Sequence, residues 1–204
     1  MDAKTHWEHI YATKAPMQVS WYQVHANCSL HFIQRAGIQP TDPIIDVGGG
    51  TSTLVDDLLT AGFQMVTVLD ISATALQLAR QRLGTYADKV TWIETDITQT
   101  ALPKNRYAVW HDRAVFHFLT QPADRLRYID TLRHSIRHGG YVIIATFAPD
   151  GPHQCSGLDV LRYSPDSLHR EFGHDFELIE SVDETHHTPW GNEQKFMYCY
   201  CRRS

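Results

Sequence analysis

IIDVGGGTSTLVDDLL, residues 44–59, runs from an apolar strand pattern through three glycines into a segment whose Leu54, Val55, Leu58 and Leu59 share one helical face. Gly48-Gly49-Gly50 is either a tight turn or the floor of a ligand site, because glycine lets a backbone approach a ligand that side chains would exclude. From Pro43 onward, short apolar runs alternate with amphipathic stretches, which predicts strand–helix–strand units and a parallel sheet. The strands are PIIDVG, QMVTVLD, VTWIETDI, RYAVWHD and YVIIATF. Thr51 or Ser52 is expected to cap the first helix, which Gly62 ends. Ser72 caps the second, whose stripe is Leu76, Ala79 and Leu83 and whose stop is Gly84. A third helix begins near Pro122, carries Leu126, Ile129, Leu132 and Ile136, and is expected to end at Gly139-Gly140. YSPDSLHREFG reads as a capped short helix, and FELIESVDE and EQKFMYCYCR as an antiparallel hairpin. Before Pro43 lie an aromatic-rich segment, Trp7 to Trp21-Tyr22, and a helix over residues 25–36, neither with a place in the sheet.

The chain has 204 residues, enough for one domain with one sizeable core and no linker. No apolar run approaches the roughly 20 residues that cross a bilayer, and the N-terminus carries no secretory or transit pattern, so no membrane partner and a cytoplasmic location are expected. A formal charge of -5 offers no basic field for phosphate backbones, so no nucleic acid partner is expected. Cys28, Cys155, Cys199 and Cys201 form no CxxC pair, which argues for reduced thiols and against a zinc ribbon. Cys199 and Cys201 share one face of a strand and suit a core.

In an open parallel sheet, ligands bind where strands end. Here three successive strands end in Asp46, Asp70 and Asp96, and the fourth in His111-Asp112. Asp70 lies about 20 residues beyond the glycines, where a carboxylate accepts hydrogen bonds from ribose hydroxyls. A dinucleotide fingerprint wants a third glycine, but Thr53 stands there, and a pyrophosphate would meet the charge of Asp46, Asp56 and Asp57. An acid is better placed beside a cation.

These residues resemble the class I S-adenosylmethionine-dependent methyltransferases over roughly residues 40 to 200. The resemblance implies an α/β, Rossmann-like, seven-stranded and mostly parallel sheet with helices on both faces, an antiparallel last strand and an N-terminal helical lid. It divides the chain into a lid segment (1–40), a cofactor-binding core (41–148) and substrate-side loops with a C-terminal hairpin (149–204). It implies S-adenosyl-L-methionine as cofactor. Asp46, Gly48, Gly49, Gly50 and Ser52 would border its methionine part, Asp70 its ribose, and Ile71, Asp96 and Ile97 its adenine. In the segment AVWHDRAVFHFL, the residues that would border the methyl group are His111, Asp112 and Arg113, with His111 and Asp112 as candidates for acid–base work. His117 lies among apolar residues and reads as a core histidine. Trp7, Tyr11, Trp21 and Tyr22 suit either a lid over cofactor and substrate or an extra helix packed at the sheet edge. HWEHIY and VSWYQ are also similar to motifs of small methyltransferases that modify protein lysines.

Substrate contacts are expected from GPHQCSG, with His153 and Cys155, and from ETHHTPWGNEQ, with His186. Ligand spacing is too irregular to predict a metal site. The partner is then a methyl acceptor, a small molecule ahead of a protein side chain, and the assembly a monomer or homodimer. The competing readings are a nicotinamide-dependent oxidoreductase and a non-catalytic adenosine-ligand binding protein.

Overall fold

A computed structural model describes residues 2–204. Helix α1 (Ala3–Thr13) and helix α2 (Asn27–Arg35) precede the sheet. Then follow β1 (Ile44–Val47), α3 (Leu54–Thr60), β2 (Val66–Asp70), α4 (Ala73–Leu83), β3 (Val90–Glu94), β4 (Tyr107–Arg113), α5 (Pro122–Ser135) and β5 (Ile136–Phe147). A two-residue pair, β6 (Gln154–Cys155) and β7 (Leu158–Asp159), leads to α6 (Pro165–Phe172), β8 (Phe176–His187) and β9 (Glu193–Arg203). The seven-stranded sheet has the order β3-β2-β1-β4-β5-β9-β8. Its first five strands pair in parallel, and β9 runs antiparallel between β5 and β8. The order reverses between β1 and β4, which opens the crevice where ligands bind in such sheets.

Strand alternation sends Ile44 and Val109 to one face and Ile45 and Trp110 to the other. The first face is covered by α2 and α3 through Phe32, Ile33, Leu54 and Leu58, the second by α5 and α6 through Ile129, Leu132, Leu168 and Phe172. All eight side chains are almost wholly buried, each worth roughly 1.5–3 kcal/mol against exposure.

Caps follow the sequence at α4 and α6. Ser72 Oγ accepts from the Ala75 amide at 3.1 Å, and Ser164 caps α6 with Pro165 in its first turn. Gly84 ends α4 at φ +56°, a conformation costly for a side chain. Helix α3 differs, because its cap position is Thr53, whose hydroxyl instead donates to the Gln23 carbonyl at 3.1 Å. Ser52 Oγ accepts from the Leu54 amide at 3.2 Å, so the loop is braced one residue earlier than a standard cap.

Two corrections concern α5. The helix stops at Ser135, and Ile136 already opens β5, so Gly139-Gly140 lies within the strand region beside an irregularity in the β4–β5 register. A Cβ on Gly140 would stand 2.8 Å from the Arg137 carbonyl, which is why that bend takes glycine. Leu126, expected in the buried stripe, is 63% exposed, and Tyr128 fills the core in its place. Strand β3 is also shorter than expected, ending at Glu94, so Asp96 stands in the following turn.

The segment before α2 is tied to α3 by Asp57, whose buried carboxylate accepts from the Ala26 amide at 2.9 Å and pairs with His25 Nδ1 at 2.8 Å. Asp57→Ala leaves the Ala26 amide unpaired and should cost about 1–3 kcal/mol, read as a lower urea midpoint with an unchanged slope. An unchanged midpoint would show that this tie adds nothing.

Candidate active site

A cavity of about 360 Å³ lies at the carboxyl ends of β1, β2, β3 and β4. A smaller recess of about 40 Å³, lined in part by Asp46, Gly49, Ser52 and His111, adjoins it and shares Tyr11, Trp21, Gly48 and Arg113. The glycine run forms the floor between them. Gly48 and Gly49 both donate to the Leu69 carbonyl, at 2.7 and 3.2 Å, which pins the turn to the neighbouring strand. Gly48 has φ +68° and Gly50 φ +34°. Each glycine also yields to a particular side chain. A Cβ on Gly48 would fall 1.9 Å from Val115 Cγ2, on Gly49 2.5 Å from Asp46 Oδ2, and on Gly50 2.7 Å from Asp70 Oδ2. Gly50 lines neither space, and its lack of a side chain leaves room for the Asp70 carboxylate. Beyond the turn, Arg82 of α4 donates to the Thr51 and Ser52 carbonyls at 2.9 and 2.7 Å.

Asp46, Asp70 and Asp96 occupy three different environments. Asp46 is buried; Oδ1 lies 2.7 Å from His111 Nδ1, and Oδ2 has no hydrogen-bond partner among the described residues. An unpaired buried carboxylate oxygen is costly unless a cation or donor reaches it. Asp70 lines the main cavity, with Oδ1 accepting from the Ser72 amide at 2.8 Å. Burial pushes its carboxyl up to about 7, against the Ser72 amide and with the charges of Asp46 and Glu8 adding to the rise. Asp96 is half-buried at the far end and orders its own turn by accepting from Thr98 and Gln99. Ile71 and Ile97 stand beside it as apolar walls.

At the end of β4 the side chains alternate, and that alternation corrects one expectation. His111 and Arg113 face the cavities, whereas Asp112 points to the opposite face and lines neither. Its carboxylate accepts from the Val115 amide at 2.8 Å, the Phe116 amide at 3.1 Å and Tyr128 Oη at 2.6 Å. Burial raises it to about 6 despite these donors. Asp112 is a structural anchor for the turn after β4. In that turn Ala114 holds φ +73°, the strained conformation that sets Val115 against Gly48. His111 is buried, with Nε2 2.8 Å from Ser29 Oγ, so both ring nitrogens are engaged. His117 is a core histidine: Nδ1 accepts from the Phe147 amide at 3.3 Å, and burial lowers it to about 3.

Trp7, Tyr11 and Trp21 roof the main cavity, and Tyr22 borders the recess. Trp7 meets Trp21 edge-on at 5.8 Å and Phe118 at 5.1 Å. Helix α1 packs on α4 and reaches the edge strand β3 through Lys4 and Glu94, 2.6 Å apart, and Glu8 fastens it by accepting from the Ala73 and Thr74 amides at 2.6 and 3.2 Å. Of the expected substrate-side residues, Cys155 lines the cavity, its thiol raised to about 11 by burial. His153 stands exposed, outside both spaces, because the β6–β7 turn carries Cys155 inward and leaves it on the rim. His186 is buried away from both; its Nε2 holds the Ser20 carbonyl at 2.7 Å, so it clamps the N-terminal segment. Among the described residues no three His, Cys, Asp or Glu side chains assemble into a metal-binding group.

Residues 44–140 match a family described as a methyltransferase domain. The eEF1A lysine and N-terminal methyltransferase of Danio rerio is 24% identical over 148 residues, 71% of this chain and 21% of that protein. A ribosomal RNA small subunit methyltransferase of Arabidopsis thaliana is 37% identical over 73 residues, 35% of this chain and 21% of that protein. The chain thus spans about a fifth of the length of these curated relatives. Among solved structures, one described by the conversion of a disulfide bond into a thioacetal group during echinomycin biosynthesis aligns over 100% of this chain and 93% of its own, with TM-score 0.80 and 17% identity. A glycopeptide N-methyltransferase complexed with sinefungin aligns over 94% of this chain and 99% of its own, with TM-score 0.68 and 18% identity. Residues 44–140 thus carry the methyltransferase-domain match, and the chain as a whole shares the fold of these solved structures. S-adenosylmethionine fits the residues present: a free buried carboxylate oxygen suits a cation, the glycine turn leaves a cradle, and Asp70 offers a carboxylate to ribose hydroxyls.

Two outcomes follow from this geometry. The folded carboxyl of Asp70 titrates above its ordinary value, so its contribution to stability is whole below about pH 4 and is lost as pH rises through 7. Asp70→Asn should therefore stabilise the ligand-free protein by about 1–3 kcal/mol at pH 8 and by less at pH 5, while weakening donor binding by roughly 1.5–3 kcal/mol. Thermal melts and calorimetry across that range check both signs. Tyr128→Phe removes a donor to Asp112 and the acceptor of Trp110 Nε1, and should cost about 1–3 kcal/mol of stability with donor affinity unchanged. A loss of donor affinity there would return Asp112 to the site.

Proposed function

We propose that this chain transfers a methyl group from S-adenosylmethionine to a small-molecule acceptor. The observation that carries this reading is the roofed cavity, where side chains from α1 and the segment after it close over the strand-end acids and leave room of about 360 Å³. A roofed space of that size suits enclosed small-molecule reactants rather than a broad macromolecular surface. The structures described by echinomycin and glycopeptide chemistry, which align over most of this chain, support an acceptor of that kind.

When bound, the donor supplies a methyl carbon activated by its sulfonium. The chain's own residues orient the reactants and exclude water. Asp46 presents its free oxygen to a cationic group, Asp70 accepts from ribose hydroxyls, and Ile71 and Ile97 flank the base. Trp7, Trp21 and Phe118 remove water from the reacting centre, where positioning is worth about 7–11 kcal/mol in favourable systems. Proton acceptance is poorly provided for: burial raises Tyr11 well above its ordinary value, both nitrogens of His111 are engaged, and Asp112 faces away. The acceptor that fits is one arriving with a free lone pair, such as a thiolate, a carboxylate or a neutral amine.

Calorimetry should detect binding of S-adenosylmethionine and of its demethylated product, and absence of both would sink the reading. With labelled donor and cell extract, label should appear in the small-molecule fraction. Label confined to protein would favour lysine methylation, the activity named in the Danio rerio relative.

A further inference from the structure

Ser29 lies outside the segment that matches the methyltransferase domain, on a helix before the sheet, yet its side chain is fully buried against the floor of the site. Its hydroxyl is 2.8 Å from His111 Nε2, and His111 Nδ1 is 2.7 Å from Asp46 Oδ1. The ring is therefore held at both ends and occupies one carboxylate oxygen. The other oxygen, Oδ2, is the unpartnered one, at the boundary of the 40 Å³ recess. Ser29 is itself backed by Tyr198 Oη at 3.5 Å, which accepts from Arg113 Nε at 3.1 Å and donates to Glu184 Oε2 at 3.3 Å. Elements α2, β1, β4, β8 and β9 thus meet in one polar chain beneath the glycine turn. A lone carboxylate could rotate to find a solvent or backbone partner. This one is fixed by a ring that another helix fixes in turn.

We propose that Ser29 and His111 are positioning residues of the donor site, aiming the free oxygen of Asp46 at the recess that receives the donor's cationic amino group. The proposal rests on the donor-site reading above. It predicts a loss confined to ligands that carry that amino group, which a general loss of packing would not produce.

The test is calorimetry on the full chain with S-adenosylmethionine, its demethylated product S-adenosylhomocysteine, and 5′-methylthioadenosine, which has the nucleoside but no amino-acid part. Ser29→Ala should weaken the first two by roughly 3- to 10-fold, the effect of one lost neutral hydrogen bond, and leave the third within about 2-fold. His111→Asn places an amide nitrogen where Nδ1 stood and should keep more affinity for the first two than His111→Gln, which replaces only Nε2. Melting temperatures are recorded alongside, and if the His111 variants fail to fold, Ser29→Ala decides alone. Equal losses for all three ligands, no loss at all, or a better His111→Gln than His111→Asn would overturn the proposal. Wild-type protein that binds none of the three would remove the donor-site reading and this proposal together. Wild-type protein that binds all three, with Ser29→Ala unchanged, would remove this proposal alone.

Discussion

The site depends on one carboxylate folded back beneath a glycine turn. Asp46 leaves β1 with its side chain under Gly49, so close that a single methyl group there would overlap Oδ2. That proximity requires glycine, the Leu69 carbonyl holds the turn from the next strand, and the His111 ring takes the carboxylate's other oxygen from the strand on the opposite side. Because the sheet order reverses between these neighbours, the turn, the ring and Asp70 converge on one crevice.

Burial does different work at each titratable group around it. Burial pushes the Asp70 carboxyl up to about 7, a destabilising state that hydroxyl donors from a ligand would relieve by donating to the charged form. Asp112 experiences the same penalty on the other face, but three protein donors meet it there, and its work is to order the turn carrying Val115. His117 is kept neutral by its surroundings and serves β5 as an acceptor. Neighbours in sequence thus face either the cavities or the core according to which face of β4 they occupy.

The segment before the sheet completes the enclosure through contacts that no local pattern encodes. Glu8 sits on the N-terminus of α4, where free amides and the helix dipole favour a carboxylate. His186, 166 residues away from Ser20, holds that residue's carbonyl. Arg113 reaches the Trp21 carbonyl while stacked 4.1 Å from the centre of the Phe196 ring. The roof is therefore fastened to α4, β4 and β8, none of which adjoins it in the chain.

The sequence by itself determined the alternation of strands and helices, the glycine turn and the strand-end acids Asp46 and Asp70, because each follows from local periodicity and from residue types with narrow uses. Residues 44–59 contained the essential turn, and Asp70 its partner. Where local signals competed, they misled: Ile136 continues the helical stripe of α5 yet opens a strand, and Gly139-Gly140 reads as a helix stop although the helix has already ended at Ser135. Strand alternation alone could have separated Asp112 from His111, since adjacent residues of a strand face opposite ways. Only the tertiary structure decided that Leu126 is exposed, that His153 and His186 lie outside the cavity while Cys155 lines it, and that Ser29 joins Asp46 through His111. Those outcomes depend on which distant elements pack together, and burial and hydrogen-bond partners over such separations leave no period in a chain.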